Sequence, residues 1–337
     1  MLWIQSQEIA MSDLCASVNP QDLLRVENMS VAFRGQANAW LAVTEEVNFS
    51  IAPSEVFALV GESGCGKSVT AMGLLGLLPR PGSKILQGHA WFEGVDLLAL
   101  SASELVKWRG AKISMIFQEP ALALNPVRTM QSQLREALRQ LPKAEADVRI
   151  EALMKRAGFA DVARVLRSYP HELSGGMMQR VMIVMALLTK PRLLIADEPT
   201  TALDVTVQAQ VMSLLQELCR ETSTGLLLIT HNLGLVAHYA DRVGVMYAGR
   251  MVESAPVQRL LENPRHPYSQ GLLRAVPEGL DSVEKLAPIP GSVPRPQEFD
   301  QGCRFRNRCP IAKEICARKP TLRSIGEHHT VACEFAT

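Results

Sequence analysis

Apolar and polar residues alternate from Leu24 to Phe33 and from Val43 to Ile51, the period of half-buried strands. Val56 to Val60 is a continuous apolar run ended by glycine, which predicts a buried parallel strand. Val69 to Leu78 predicts a helix stopped by Pro79. Residues 101–170 read as helix-rich, with periodic apolar positions in Leu134 to Leu141 and Val148 to Ala157 and a break at Pro142. Strand patterns return at Leu193 to Ala196 and Leu226 to Thr230. Between them Val205 to Glu221 predicts a helix with Val207, Val211, Leu214, Leu215 and Leu218 on one face. Strands alternating with helices predict an α/β core around a parallel sheet. After Leu261 come Pro264, Pro267, Pro277, Pro288, Pro290, Pro294 and Pro296, the pattern of an extended connection leading to a small Cys-containing end module. Residues 1–22 read as a variable leader, with Met11 an alternative start.

Composition narrows the class. The chain has 337 residues, 47% of them hydrophobic, with a net charge of +1. That is enough chain for one large or two medium globular domains. No clustered basic surface of the kind that binds nucleic acid is expected. The longest apolar run, Val181 to Leu188, falls well short of the roughly 18 residues of a membrane helix. The first 24 residues carry no Lys or Arg, so no secretory signal is expected and a cytoplasmic protein is. Any work at a membrane would need a partner to hold the chain there. Cys15, Cys65 and Cys219 are scattered, whereas Cys303, Cys309, Cys316 and Cys333 all lie in the last 35 residues. In a reducing compartment such a cluster points to a metal centre rather than to disulfides.

The chemistry starts at Gly61-Glu62-Ser63-Gly64-Cys65-Gly66-Lys67-Ser68, which fits G-x-x-x-x-G-K-[ST] between a strand and a helix that opens at Val69. Its glycines let backbone N–H groups converge on a phosphate, and the helix N-terminus adds its positive end. Lys67 would neutralise the β and γ phosphates and Ser68 would hold Mg²⁺. The pattern suits GTPases, kinases and ATPases equally. Leu193 to Glu198 ends an apolar strand in two carboxylates. Asp197 is placed to hold the Mg²⁺ shell and Glu198 to polarise an attacking water. Leu173-Ser174-Gly175-Gly176-Met177-Met178-Gln179-Arg180 opens a strongly apolar helix with a second anion-binding N-terminus. One nucleotide does not need two cradles from one chain; two facing chains do.

This segment resembles the signature motif of ABC ATPases, and that resemblance implies a P-loop ABC core with an antiparallel β subdomain and a helical subdomain. It gives Ser174, Gly175, Gly176 and Gln179 to a nucleotide held by a partner chain. Gln118 is similar to the Q-loop glutamine, with a share in the Mg²⁺ site. Thr201-Ala202-Leu203-Asp204 is similar to the D-loop, with Asp204 at the dimer seam. His231 matches the switch histidine that senses the γ-phosphate, and Phe33 the aromatic that stacks on adenine. The catalytic set is then Glu198, His231, Lys67 and Gln118.

Leu124-Asn125-Pro126, Tyr169-Pro170-His171-Glu172 and Ala196 to Thr206 resemble the dipeptide, oligopeptide and nickel importer ATPases. Asn263-Pro264-Arg265-His266-Pro267-Tyr268 and Ile289 to Pro294 resemble the tail of their D-type subunits. The resemblance runs from about Leu23 to Cys333. It implies an ATPase domain over 23–260, with its helical subdomain at about 101–180, and a C-terminal extension over 261–337. The implied partners are a second, F-type ATPase chain, two membrane permease subunits and, indirectly, a periplasmic or extracellular solute-binding protein. The implied place is the cytoplasmic face of the inner membrane. The four tail cysteines are spaced C-x5-C-x6-C-x16-C, and four thiolates suit either zinc or an iron–sulfur cluster. No C-x2-C zinc knuckle is present, and the resemblance implies [4Fe-4S]. Asn307 stands where the family usually carries Pro.

Other readings remain in view. The cargo could be nickel or a D-amino-acid dipeptide. A soluble ABC ATPase of DNA repair would need a long coiled coil, but roughly 105 residues separate Gly66 from Leu173 without sustained heptads. Translation ATPases usually carry two cassettes, and this chain has one. A GTPase would need an Asn-Lys-x-Asp motif, which is missing from the sequence.

Overall fold

The computed structural model describes residues 22–35, 38–201, 203–275 and 289–336. The leader up to residue 21, with Met11 and Cys15, lies outside the described residues, as do Ala202, Pro277 and Pro288.

Strands β1 (Leu24–Arg34) and β2 (Trp40–Ile51) pair antiparallel. The chain then crosses to a second sheet as β3 (Val56–Val60), followed by helix α1 (Lys67–Leu74). It returns as β4 (Ser83–Phe92), antiparallel to β1, and β5 (Val95–Asp96) completes a four-stranded sheet ordered β2-β1-β4-β5. After the short helix α2 (Ala102–Leu105), strand β6 (Ile113–Ile116) joins the second sheet. The helices α3 (Pro120–Ala123), α4 (Met130–Ala137), α5 (Lys143–Arg156), α6 (Val162–Arg167) and α7 (Gly175–Leu187) come next. The chain re-enters the sheet as β7 (Leu193–Asp197) and continues through α8 (Val205–Glu221), β8 (Gly225–Thr230), α9 (Leu233–Tyr239) and β9 (Arg242–Tyr247).

Every residue of β3, β7 and β8 is buried, because α1 and the antiparallel sheet cover one face of the parallel strands and helices such as α7 and α8 the other. That is why these strands read as unbroken apolar runs. The parallel order β9-β3-β8-β7-β6 sets the carboxyl ends of β3, β7 and β8 side by side. Helix α8 spans Val205 to Glu221, as its apolar face predicts. Helix α1 ends at Leu74, four residues earlier than its pattern suggested. Gly76 follows in the left-handed region at φ 58°, so Leu78 is buried from a turn. Helix α4 begins at Met130, earlier than expected, because the Thr129 hydroxyl caps it by accepting from Ser132 N–H at 3.4 Å.

The tail was expected to be an extended connection leading to a small end module; residues 276–288 of that connection lie outside the described residues, and the described parts pack onto the sheet. After β10 (Arg250–Pro256) and α10 (Val257–Glu262), the proline-rich stretch forms α11 (Pro267–Arg274). Strands β11 (Arg323–Gly326) and β12 (His329–Val331) then extend the main sheet, β12 pairing with β10 through Glu253↔Val331 and Ser254↔Thr330. Asn263 to Tyr268 serve this join. The wholly buried Glu253 carboxylate accepts from Arg265 and His266 N–H at 2.8 Å each and lies 2.9 Å from the His329 ring. His266 Nδ1 accepts from Tyr268 N–H at 3.0 Å and so caps α11. Of the prolines read as a linker signal, Pro267 is the first residue of α11, while Pro277 and Pro288 lie outside the described residues.

Candidate active site

The phosphate loop leaves β3 at Val60 and enters α1 at Lys67. Gly61, Gly64 and Gly66 have φ of 152°, 79° and 108°. A Cβ on Gly61 would stand 2.2 Å from the Met246 carbonyl oxygen of β9, and one on Gly66 2.7 Å from Thr44 Cγ2 of β2. The loop therefore needs glycine for both conformation and close approach. Among the described residues no side chain caps the N-terminus of α1, the kind of helix start that suits a phosphate. Ser63 and Gly64 are exposed at the mouth of the loop, while Cys65 is fully buried under it. Lys67 is 5% exposed, and its Nζ donates to Gly61 O at 2.8 Å and Glu62 O at 3.3 Å.

Ser68 Oγ donates to Asp197 Oδ1 at 2.9 Å, joining the loop to the end of β7. Burial raises the pKa of Asp197, aided by the neighbouring Glu198; the Ser68 hydrogen bond and Lys67 oppose the rise. Glu198 sits in the left-handed region at φ 46°, held by its N–H to Ile229 O at 2.9 Å. Three side chains converge on its carboxylate. Gln118 Nε2 donates to Oε2 at 3.1 Å, Thr201 Oγ1 donates to Oε2 at 2.9 Å, and His231 Nδ1 stands 3.3 Å from Oε1. These residues follow β6, β7 and β8 respectively, so the sheet order assembles them.

The signature segment starts α7, where exposed Ser174 caps by accepting from Met177 N–H at 3.3 Å. Gly175 is exposed beside it, and a Cβ on Gly176 would come within 3.0 Å of Val207 Cγ1 in α8. Exposed Asp204 caps α8 by accepting from Val207 N–H at 2.9 Å. Ser174, Gly175 and Asp204 therefore share one exposed edge. Gln179 does not: it is 2% exposed and its amide nitrogen has no hydrogen-bond partner. Helix α7 turns that side chain into the core and away from the exposed edge. Val69 is half-buried against the apolar core of α1, as is Phe33 near the end of β1.

Sequence reasoning missed four contacts. Thr201 was read only as part of a loop, yet it bonds Glu198 directly. Glu62 N–H donates to the Tyr268 hydroxyl at 2.9 Å, and its carboxylate takes a two-point grip from Arg308. Gly249 N–H donates to Cys65 O at 2.9 Å. Only tertiary structure brings the last three pairs together, whereas Thr201 lies three residues from Glu198.

The tail cysteines do not form a set of ligands in place. Among the described residues no group of three or more His, Cys, Asp or Glu side chains is arranged to hold a metal ion. The four thiols are free and half-buried in one region, with Cys303 N–H donating to Cys316 O at 2.9 Å. Burial pushes the Cys303 thiol up to about 11, and Cys309, Cys316 and Cys333 are near enough to add to that rise. Only the donor type, four thiols, suits a thiolate-bound cluster.

Comparison with known proteins gives five likenesses. Residues 44–201 match the ABC transporter family model, and residues 252–316 match that of the oligopeptide/dipeptide transporter C-terminal region. The oligopeptide transport ATP-binding protein AppD of Bacillus subtilis is 46% identical over 92% of this chain and 96% of its own. The dimeric post-hydrolysis structure of the ATP-binding cassette MJ0796, bound to ADP and Pi, superposes with a TM-score of 0.62 at 25% identity, covering 69% of this chain and 98% of that one. The structure of cbiO1 from Clostridium perfringens, part of the ABC transporter complex cbiONQ, gives a TM-score of 0.62 at 27% identity over 72% of this chain and 92% of its own.

Proposed function

We propose a function from one premise: this chain belongs to the ABC transporter family of ATP-binding proteins. It is the ATPase that powers an oligopeptide importer. The observation that carries the chemistry is the convergence of Gln118, Thr201 and His231 on Glu198, next to the Ser68–Asp197 pair. Glu198 accepts the proton of the attacking water, while His231 and Gln118 fix its carboxylate and follow the γ-phosphate. Lys67 moves from the loop carbonyls to the β and γ phosphates. Ser68, Asp197 and Gln118 would hold Mg²⁺, which supplies positive charge to the transferring phosphoryl group. Phe33 stacks on the adenine.

Ser174, Gly175, Gly176 and Asp204 face a second ATPase chain of the F type, which completes each site. MJ0796, a cassette of the same fold, is dimeric in its solved form. Two permease subunits dock on the helical side. There a cleft of about 860 Å³ is lined by Leu77, Arg109, Phe117, Leu141, Met182 and Met185. Leu122 and Val127 lie close by along the chain and are 80% and 79% exposed. Among the described residues no helix is long and apolar enough to cross a membrane, which suits peripheral attachment through those permeases at the cytoplasmic face. A solute-binding protein outside the membrane delivers the peptide. Cys303, Cys309, Cys316 and Cys333 would hold a [4Fe-4S] cluster, which would tie the tail together. Iron and sulfide in equal amount on anaerobically purified protein supports the cluster; stoichiometric zinc, or no metal, excludes it.

The test of the function is ATP-driven accumulation of a labelled oligopeptide in proteoliposomes carrying the assembled importer. Wild type accumulates peptide and Lys67→Ala does not. Nickel accumulation without peptide accumulation would assign a different cargo. Peptide accumulation that survives Lys67→Ala would overturn the role of the site.

A further inference from the structure

The phosphate loop is gripped from the tail at its second residue. Glu62 is held by all three of its polar groups. Its N–H donates to the hydroxyl of Tyr268, a side chain with no exposure. Its carbonyl accepts from Lys67 Nζ at 3.3 Å. Its carboxylate accepts from Arg308 Nη1 at 2.7 Å and Nη2 at 3.0 Å, a bidentate fork. The Arg308 side chain is only 6% exposed, against 32% for Glu62. The rest of its guanidinium is tied to the tail: Nε donates to Pro290 O at 2.8 Å and Nη2 to Ile289 O at 3.3 Å.

The grip rests on a firm base. Tyr247, Tyr268 and Phe305 pack as an aromatic trio with ring centroids 4.6, 5.1 and 5.3 Å apart, and all three are buried. A second hold reaches the middle of the loop. Arg304 Nη1 donates to Ala248 O at 2.6 Å, and the next residue, Gly249, donates its N–H to Cys65 O. The tail thus braces the loop at residues 62 and 65.

The arrangement also settles a charge problem. Glu62 puts a carboxylate in the turn that receives a triphosphate. Unpaired, it would repel the ligand; paired with a buried guanidinium, it presents no net charge. We propose that Arg308 and Tyr268 are positioning residues for ATP. They hold the phosphate loop open from the C-terminal region and cancel the Glu62 charge. This rests on the ATPase reading above and adds a role for the tail in nucleotide affinity.

The experiment is steady-state ATP hydrolysis by the assembled importer, with KM and kcat separated. Arg308→Ala raises KM for ATP by about tenfold, the effect of one uncancelled charge in a partly screened site. It leaves kcat within about twofold, because Glu198 and its partners are untouched. Glu62→Gln placed in the Arg308→Ala background brings KM back to within about twofold of wild type, because no charge is left to cancel. A merely structural role for Arg308 would not be rescued by changing Glu62. Arg308→Lys keeps the charge without the fork and falls between. Tyr268→Phe keeps the ring, leaves the Glu62 N–H unpaired, and raises KM with an unchanged unfolding midpoint. Should Arg308→Ala not fold, these last two variants decide. An unmoved KM in the folded variants, or no rescue by Glu62→Gln, overturns the proposal while leaving the ATPase reading intact. Failure of wild type to hydrolyse ATP overturns both.

Discussion

Glu198 occupies a backbone region that costs a non-glycine residue about 1–3 kcal/mol, and its neighbours keep it there. The ladder bond to Ile229 sets the backbone, and Gln118, Thr201 and His231 set the carboxylate. Glu198 was legible because it directly follows an apolar strand, and Gln118 and His231 were read from their likeness to the Q-loop glutamine and the switch histidine. Thr201 was not, since a threonine in a loop carries no signal of its partner. His266 gives a prediction at the same scale. The ring is 1% exposed, its Nδ1 caps α11, and burial drives its pKa down to about 3. Unfolded, it titrates near about 6.5. Between those values the unfolded chain binds the extra proton, so this group contributes full stability above about pH 6.5 and loses it as pH falls toward 3. His266→Asn keeps an acceptor for Tyr268 N–H and does not titrate. Its unfolding free energy in urea should fall less on acidification, by up to about 1.4 kcal/mol per pH unit. Equal slopes in the two proteins would remove the assignment.

At the scale of elements, the buried strands were the most legible parts. β3, β7 and β8 are apolar throughout because both faces are covered, and a run of that kind leaves little choice of structure. Helix ends were read less well. α1 stops at Leu74 although apolar residues continue to Leu78, because the following turn buries Leu75 and Leu78 without helical backbone and leaves Leu77 exposed. The signature helix α7 is apolar on most faces, and so its period did not reveal that Gln179 points inward. The phosphate loop between β3 and α1 is fixed by contact as much as by conformation. Gly61→Ala would drive a methyl against the Met246 carbonyl from a φ of 152°. The loop must shift, at a stability cost of about 1–3 kcal/mol and with loss of ATP binding. Isothermal titration with ATP and Mg²⁺ checks this; wild-type affinity in a folded variant would show that the loop tolerates a side chain there.

Across the whole molecule the tail is the part that sequence periodicity misplaced. Its prolines and cysteines suggested a module on a linker, yet β12 pairs with β10, α11 packs behind the phosphate loop, and Arg308 reaches Glu62 across 246 positions of sequence. Pairs so far apart leave no local pattern, so only the folded chain displays them. The exposed edge of Ser174, Gly175 and Asp204 is the other feature of this scale: it lies apart from Lys67 and Ser68 in sequence, and in the proposed composite site it serves the nucleotide of a second chain. Glu198 is the proposed base of that composite site. Its most direct test is ATP turnover by the assembled importer carrying Glu198→Gln. ATP and Mg²⁺ should remain bound in a closed pair of ATPase chains while turnover falls by about 10²–10⁴-fold. Turnover within a few-fold of wild type would contradict it.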